Sequence, residues 1–372
     1  MKILVLANIP DELAGARLHL LTAMVERGHE VVAAAPDLEA HQAAGILAGN
    51  GVKCAQFSLS RTGLNPLREW RTLQDITALM RDHYPDVTYA MTIKPVIYGT
   101  MAAANAGVPR RFAHITGLGY AFTGPRTGKR AIIARIVENL YRRSLRQADT
   151  VFFENEDDRD LFLSRDLIAN ARKASVIDGS GIDLDHFTPA PWPDGPIRFL
   201  FVGRLLKSKG LPELIEAMRR VRQEHPETRL TIVGPLDENP DAIDRVEFEG
   251  WVAEGVVEYR GKLDDVRSEL TKSHVFVLPS HREGLPRSTM EAMATGRAII
   301  TTDAPGCRRT VEHGGNGLLV PVGGAEALAA AITEMIKDPD RAREMGESSL
   351  QLVRERFSVE RINAQLLDAM GL

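Results

Sequence analysis

Two carboxylates and two cations stand out in this chain for the chemistry their spacing permits. Glu283 opens the run Glu283-Gly284-Leu285-Pro286-Arg287-Ser288-Thr289-Met290-Glu291, so two acids lie eight positions apart. The run follows a strand-like stretch, His274–Leu278, and leads into a helical pattern that stops at Gly296. Glu283 is then expected on a loop and Glu291 in the first helical turn. The free backbone N–H groups between them point where a phosphate can sit. Carboxylates accept hydrogen bonds from sugar hydroxyls, and two suit a ligand with two polyol parts. A plainer reading fits the same residues: Ser288 and Glu291 have capping-box spacing, and Glu283 is then an ordinary loop acid. The cations lie in Gly203-Arg204-Leu205-Leu206-Lys207-Ser208-Lys209-Gly210, between a strand and a helix. Ligands of open α/β sheets bind beyond the carboxyl ends of strands, and a helix start favours an anion. Arg204 and Lys209 are placed to clamp a diphosphate. A glycine turn with two solvated cations fits that run equally well.

The elements that must hold these groups alternate in the pattern of parallel sheets covered by helices. In the first half, strands are expected at Ile3–Ala7, Val31–Ala35, Asp86–Met91 and Arg111–Ile115. Helices are expected at Ala16–Arg27, Leu67–Arg81 and Pro95–Ala106. In the second half, Ile197–Val202, Leu230–Val233, Val256–Arg260, His274–Leu278 and Ala298–Thr302 read as strands and Leu211–Gln223 as a helix. Asp178–Pro196, rich in Gly, Pro and Asp, is the best interdomain linker. A chain of 372 residues has room for two domains. Its 46 basic and 50 acidic residues give a net charge of −4, which does not suggest a nucleic-acid binder. Two distant cysteines, Cys54 and Cys307, indicate neither a disulfide framework nor a metal site. The opening MKILVLANIP reads as a first strand and not as a signal peptide. With no stretch of about 18 apolar residues, the protein is expected on the cytosolic side.

Taken together, GRLLKSKG, EGLPRSTME with its following AMATGRAIITTDAPG, VEHGGNGLLVP and the linker GSGIDLDHFTP resemble the family 4 glycosyltransferases of the GT-B fold. The resemblance covers nearly the whole chain. It implies an α/β protein of two Rossmann-like domains facing each other across a cleft. An N-terminal acceptor domain is expected over 1–185 and a nucleotide-sugar donor domain over 186–356. A C-terminal helix over 357–372 is expected to return to the first domain. The resemblance implies transfer of a hexose or N-acetylhexosamine from a UDP-sugar with retention of configuration and without a metal or other cofactor. By position, Gly203, Arg204 and Lys209 would bind the diphosphate, and Glu283 the transferred sugar. Gly284, Leu285, Arg287 and Ser288 would line the donor, Glu291 would hold the ribose, and Lys262 and Leu263 would meet the base.

In the first half, the family often carries a glycine pair in the loop after the first strand. Here only Gly15 stands in Asn8–Gly15, and a lone glycine at a helix start is more often a turn. The segments Thr92-Ile93-Lys94-Pro95 and His114-Ile115-Thr116-Gly117-Leu118-Gly119-Tyr120 look like the branch that builds bacterial surface polysaccharides and lipid-linked oligosaccharides. In that family a histidine near here lies by the transferred sugar; His114 or, by register against the glycines, Thr116 would take its place. Between Asn105 and Thr150 stand nine basic residues, among them Arg126, Lys129, Arg130 and Arg143, against the acids Glu138 and Asp149. Arg135, Arg142 and Arg146 share one helical face, with Ile133, Val137, Leu140 and Ser144 roughly opposite. This pattern fits either an ordinary surface helix or one docked on an anionic membrane, with Lys94 nearby. The expectation is a peripheral enzyme at the inner face of the cytoplasmic membrane, acting on a polyprenyl-diphosphate-linked saccharide. The rivals are a nucleotide-sugar epimerase of the same architecture and a non-catalytic sugar-nucleotide-binding subunit. A dehydrogenase is disfavoured because no G-x-G-x-x-G follows the first strand.

Overall fold

The computed structural model describes residues 1–60, 65–119, 122, 128–237 and 241–372, apart from the side chains of Lys129 and Arg130. The chain forms two compact units, Met1–Ser180 with Glu360–Leu372, and Gly181–Val359.

The first unit holds seven strands: β1 (Lys2–Leu6), β2 (Glu30–Ala34), β3 (Lys53–Ala55), β4 (Val87–Met91), β5 (Arg110–Ile115), β6 (Thr150–Phe153) and β7 (Ala174–Val176). They pair in parallel in the order β3-β2-β1-β4-β5-β6-β7. Alternate residues of one strand serve two cores, because successive side chains leave opposite faces. Leu4 and Leu6 pack with Ile76, Val96 and Tyr141 on one side. Ile3 and Val5 pack with Leu20, Leu21 and Met24 on the other, where Ile362, Leu366 and Met370 of the last helix, Val359–Met370, also lie. The region read as one helix over Pro95–Ala106 is a π-turn, Pro95–Gly99, followed by the helix Thr100–Ala106. At Gly99 a Cβ would sit 2.6 Å from Leu6 Cδ1, so glycine lets this turn press against the sheet without displacing the Leu6 side chain.

The second unit holds β8 (Arg198–Val202), β9 (Arg229–Val233), β10 (Val257–Tyr259), β11 (Val275–Leu278), β12 (Ala298–Thr302) and β13 (Gly317–Val320). All are parallel, in the order β10-β9-β8-β11-β12-β13. Helix Leu211–Glu224 buries Leu211, Leu214, Ile215, Met218 and Val221, an i, i+3, i+4, i+7 stripe. Both sheets therefore have the Rossmann strand order, which reverses direction between the first and fourth strand of each unit. Those reversals, β1/β4 and β8/β11, are where loops diverge and leave a crevice for ligands. The sequence reading marked no strand at β3, β6, β7 or β13, which have only three or four residues each, too few to show a period.

Candidate active site

The loops leaving β8 and β11 flank the switch point of the second sheet, and they carry the two motifs singled out above. Three close backbone approaches hold them there. Gly210 has φ +74°, and a Cβ on it would lie 2.0 Å from the Pro279 carbonyl oxygen. Gly234 has φ +147°, with the Gly203 oxygen 1.8 Å from where its Cβ would be. Gly306 has φ +75°, and its Cβ would meet the oxygens of Gly284 at 2.3 Å and Glu283 at 2.4 Å. No side chain fits these contacts, so glycine lets four loops, those after β9, β8, β11 and β12, run side by side. Hydrogen bonds then stitch them. The Ser208 carbonyl accepts from His281 N (2.8 Å) and from Ser280 Oγ (3.2 Å), and Pro305 O accepts from Glu283 N (3.0 Å). Asp241 accepts from Ser208 N at 3.1 Å and from the Ser208 hydroxyl.

Within that frame Lys209 Nζ donates to Glu283 Oε1, and both side chains are largely buried. Arg204 is more exposed and pairs with Asp237 at 3.2 Å. Glu291 Oε1 accepts from Arg287 Nε at 3.0 Å. Burial raises the Glu291 carboxyl above its ordinary pKa; Arg287 opposes the rise and the charge of Asp265 adds to it. Asp265 belongs to the loop after β10, so the Lys262–Leu263 segment and the start of helix Arg287–Ala294 share one neighbourhood. Asp265 is itself gripped by Arg267 at 2.6 Å, whose hydrogen bonds hold its pKa down to about 2. Beneath Glu283, Cys307 is fully buried, and its thiol is pushed up to about 12 by burial and by the Glu283 charge. It is a packing residue.

The second unit thus gathers Gly203, Arg204, Lys209, Lys262, Leu263, Glu283, Gly284, Leu285, Arg287, Ser288 and Glu291 around one sheet end. Two details differ from the sequence reading. The helix begins at Arg287 with Pro286 as N-cap and no side-chain capping bond, so Ser288 and Glu291 form no capping box. Leu285 is buried in the core, which leaves only its backbone for a ligand. Asp241, Asp265 and Gly306 were missed, because Asp241 and Gly306 meet partners distant in sequence and Asp265, held by nearby Arg267, bears on the site only through its charge on Glu291.

Residues expected in the first unit need more correction. Gly15 ends a short helix, its N–H bonded to Asp11 O (2.9 Å) and its carbonyl to Leu18 N (3.1 Å), so it has no N–H left for a phosphate. Lys94 is not a membrane contact: its ammonium is buried between Glu69 Oε1 (2.5 Å) and Ser60 O (2.6 Å). Arg142 is spent on the carbonyls of Arg165 and Asp166 and on Asn139 Oδ1. His114 has no exposed surface; Tyr89 Oη lies 2.5 Å from its Nδ1, and burial, with Arg17 nearby, keeps its pKa well below the usual histidine value. An imidazole so enclosed does not reach a sugar in this arrangement. Helix Gly128–Leu145 turns Val137 and Ser144 inward and Arg135 and Arg143 outward, and Arg146, just past its end, is exposed too. Ile132 and Ile136 are also exposed on that outer face. Arg126 and Tyr120, and the side chains of Lys129 and Arg130, lie outside the described residues. Among the described residues no helix is long and apolar enough to cross a membrane.

Two double-wound units with a cation–carboxylate site at one switch point define the class. Residues 184–351 match the family of Glycosyl transferases group 1, and residues 15–179 match the Glycosyl transferase 4-like domain. The chain belongs to the GT-B glycosyltransferases and is related to bacterial enzymes of surface-polysaccharide and lipid-linked oligosaccharide assembly. It is 28% identical over 349 residues to the N,N'-diacetylbacillosaminyl-diphospho-undecaprenol α-1,3-N-acetylgalactosaminyltransferase of Campylobacter jejuni, covering 90% of this chain and 89% of that one. It is 30% identical over 166 residues to the capsular polysaccharide biosynthesis glycosyltransferase CapM of Staphylococcus aureus, covering 45% and 43%. Among solved structures, Anabaena HepE in complex with UDP-glucose has the same fold, with a TM-score of 0.80 at 21% identity over 100% of this chain and 99% of that one.

Proposed function

We propose that this glycosyltransferase takes a UDP-sugar in the second unit and passes the sugar, with retention of configuration, to a polyprenyl-diphosphate-linked saccharide. The Lys209–Glu283 pair at the β8/β11 switch point carries the reading. A diphosphate arriving there meets the Lys209 ammonium, the Arg204 guanidinium and the backbone N–H groups of Arg287 and Ser288 at the helix start. As the sugar–phosphate bond lengthens, negative charge grows on the diphosphate, and these fixed donors stabilise it more in the transition state than before. Glu283, placed beside Lys209, faces the transferred sugar and accepts from its hydroxyls. Glu291 leaves Arg287 for the ribose hydroxyls, and Arg287 is freed toward the phosphates.

The acceptor attacks the face that the diphosphate leaves, and the departing phosphate oxygen takes the hydroxyl proton. The Campylobacter relative, described by an α-1,3 linkage and a diphospho-undecaprenol acceptor, supports both the stereochemistry and the acceptor class. The acceptor rests on the first unit. The outward face of helix Gly128–Leu145, with Arg135, Arg143, Arg146 and the exposed Ile132 and Ile136, suits a peripheral contact with anionic lipid. Incubating the enzyme with UDP-sugars and lipid-linked saccharides, with mass and anomeric NMR readout, tests the reading. An α-linked product from an α-linked donor is expected. A β-linked product refutes retention, and transfer only to water-soluble polysaccharide refutes the acceptor class.

A further inference from the structure

The first unit has its own switch point, β1/β4, and a buried ionic cluster lies beside it. Arg17 is 3% exposed and stands at the start of helix Leu18–Glu26. Its Nη2 donates to Glu154 Oε1 at 3.3 Å. Glu154 is 6% exposed, one residue past β6, and is followed at once by Asn155, which caps the helix Glu156–Ser164 by accepting from Asp158 N at 2.8 Å. The ion pair thus joins two rigid points that are 137 positions apart. His114 Nε2 lies 3.9 Å from the same Glu154 oxygen, too far for a hydrogen bond. The Arg17 Nε and His114 Nε2 atoms are buried without a hydrogen-bond partner among the described residues. The charged or titratable groups facing Arg17 are Glu12, Tyr89 and Glu154, with His114 across Glu154.

Two further features converge there. Arg17 closes the loop after β1, and its N–H bonds to Glu12 O at 3.0 Å. After β4, Thr92 has φ +67°, a strained value for a β-branched residue, and its N–H bonds to the His114 carbonyl at 3.2 Å. A buried arginine–glutamate pair is a poor source of stability, since desolvation offsets most of the attraction. Its better-supported use is to fix one arrangement of the backbone.

We propose that Arg17 is a positioning residue for glycosyl transfer: through Glu154 it pins the β1 loop to the end of β6 and so shapes the floor of the acceptor site. This rests on the reading that the first unit carries the acceptor. Arg17 touches no reacting atom; it sets where the loop over residues 8–17 and the strained Thr92 stand. Misplacing such a surface by about 1 Å costs on the order of 10²-fold in rate.

The test compares Arg17→Met, Arg17→Lys and the double variant Arg17→Met with Glu154→Gln. Arg17→Met is expected to keep UDP affinity, which belongs to the other unit, and to lose on the order of 10²-fold in kcat. Burial raises the pKa of Glu12 and lowers that of His114, and the Arg17 charge lowers both, so removing that charge raises each, and an acid limb of kcat that reports this cluster moves to higher pH. Arg17→Lys restores the limb and part of the rate. The double variant removes the Glu154 charge along with its partner and decides the matter if Arg17→Met does not fold: it is expected to fold and keep the kcat deficit. A double variant with wild-type kcat and acceptor KM overturns the proposal. So does an Arg17→Met loss that only tracks its unfolded fraction while the acid limb stays in place. Lys209→Ala run alongside separates the two ideas. If it too leaves transfer intact, the donor-site reading fails; if it abolishes transfer while the double variant is unimpaired, only the role of Arg17 falls.

Discussion

Replacing Glu291 by Gln separates a nucleotide ligand from a structural acid. In the structure Glu291 caps nothing; its largely buried carboxylate accepts from Arg287, which is about one-third exposed. Gln can keep the hydrogen bond from Arg287 and no longer desolvates a charge, so the lost attraction is largely offset and the variant is expected to melt close to wild type. Binding should respond more. A hydrogen bond to a charged acceptor contributes about 1.5–3 kcal/mol and a neutral one about 0.5–1.5, a difference of roughly 1–1.5 kcal/mol for each ribose hydroxyl. At about 1.4 kcal/mol per decade, that is roughly a five- to tenfold rise in the Kd for UDP per bond. The pH dependence has a definite sign. Burial raises the folded-state pKa of Glu291 above 4.5, so its stability contribution is full below the unfolded value and is lost as pH rises through the folded one. Ribose binding needs the ionised form and runs the other way. Wild-type UDP affinity should fall as pH drops through the raised pKa, and Glu291→Gln should be flat there. Isothermal titration across that range reads both effects. A variant that binds UDP as tightly as wild type, with the same pH profile, refutes the assignment.

Lys209→Ala and Arg204→Ala should each weaken donor binding by about 1.5–3 kcal/mol, roughly 10- to 150-fold, with Lys209 the larger because it is more buried; donor Kd and kcat/KM measure this, and unchanged values reject the clamp. Gly306→Ala should lower both thermal stability and donor affinity. The left-handed backbone costs about 1–2 kcal/mol, and the new Cβ displaces the Glu283 and Gly284 carbonyls; an unaltered donor Kd would show that the site tolerates the shift. The enzyme should float with anionic vesicles at low salt and not with neutral ones, and changing Arg135, Arg143 and Arg146 to Glu should abolish flotation. Equal flotation of that variant removes the membrane contact from helix Gly128–Leu145.

The sequence by itself determined most of the elements and the position of the two motifs on them. Apolar runs bounded by turn residues mark buried parallel strands, and the run Gly203–Gly210 after β8 and Glu283–Glu291 after β11 are each continuous in the chain. Local signals of this kind survive because strand, loop and helix follow one another within about ten residues. The Ser288/Glu291 ambiguity was also local, yet only the backbone could resolve it: with Pro286 as the N-cap, the spacing alone means nothing. What tertiary structure decided is which side chains are already engaged. Lys94 and Arg142 look like free cations in sequence, but Glu69 and two backbone carbonyls occupy them. His114 ends a strand, as a catalytic histidine might be asked to, but neighbouring β4 and β6 bury it against Tyr89 and Phe152. Arg17 and Glu154 carry no mutual signal in the chain at all, since a pair across 137 positions becomes visible only when parallel strands bring their carboxyl ends to one edge.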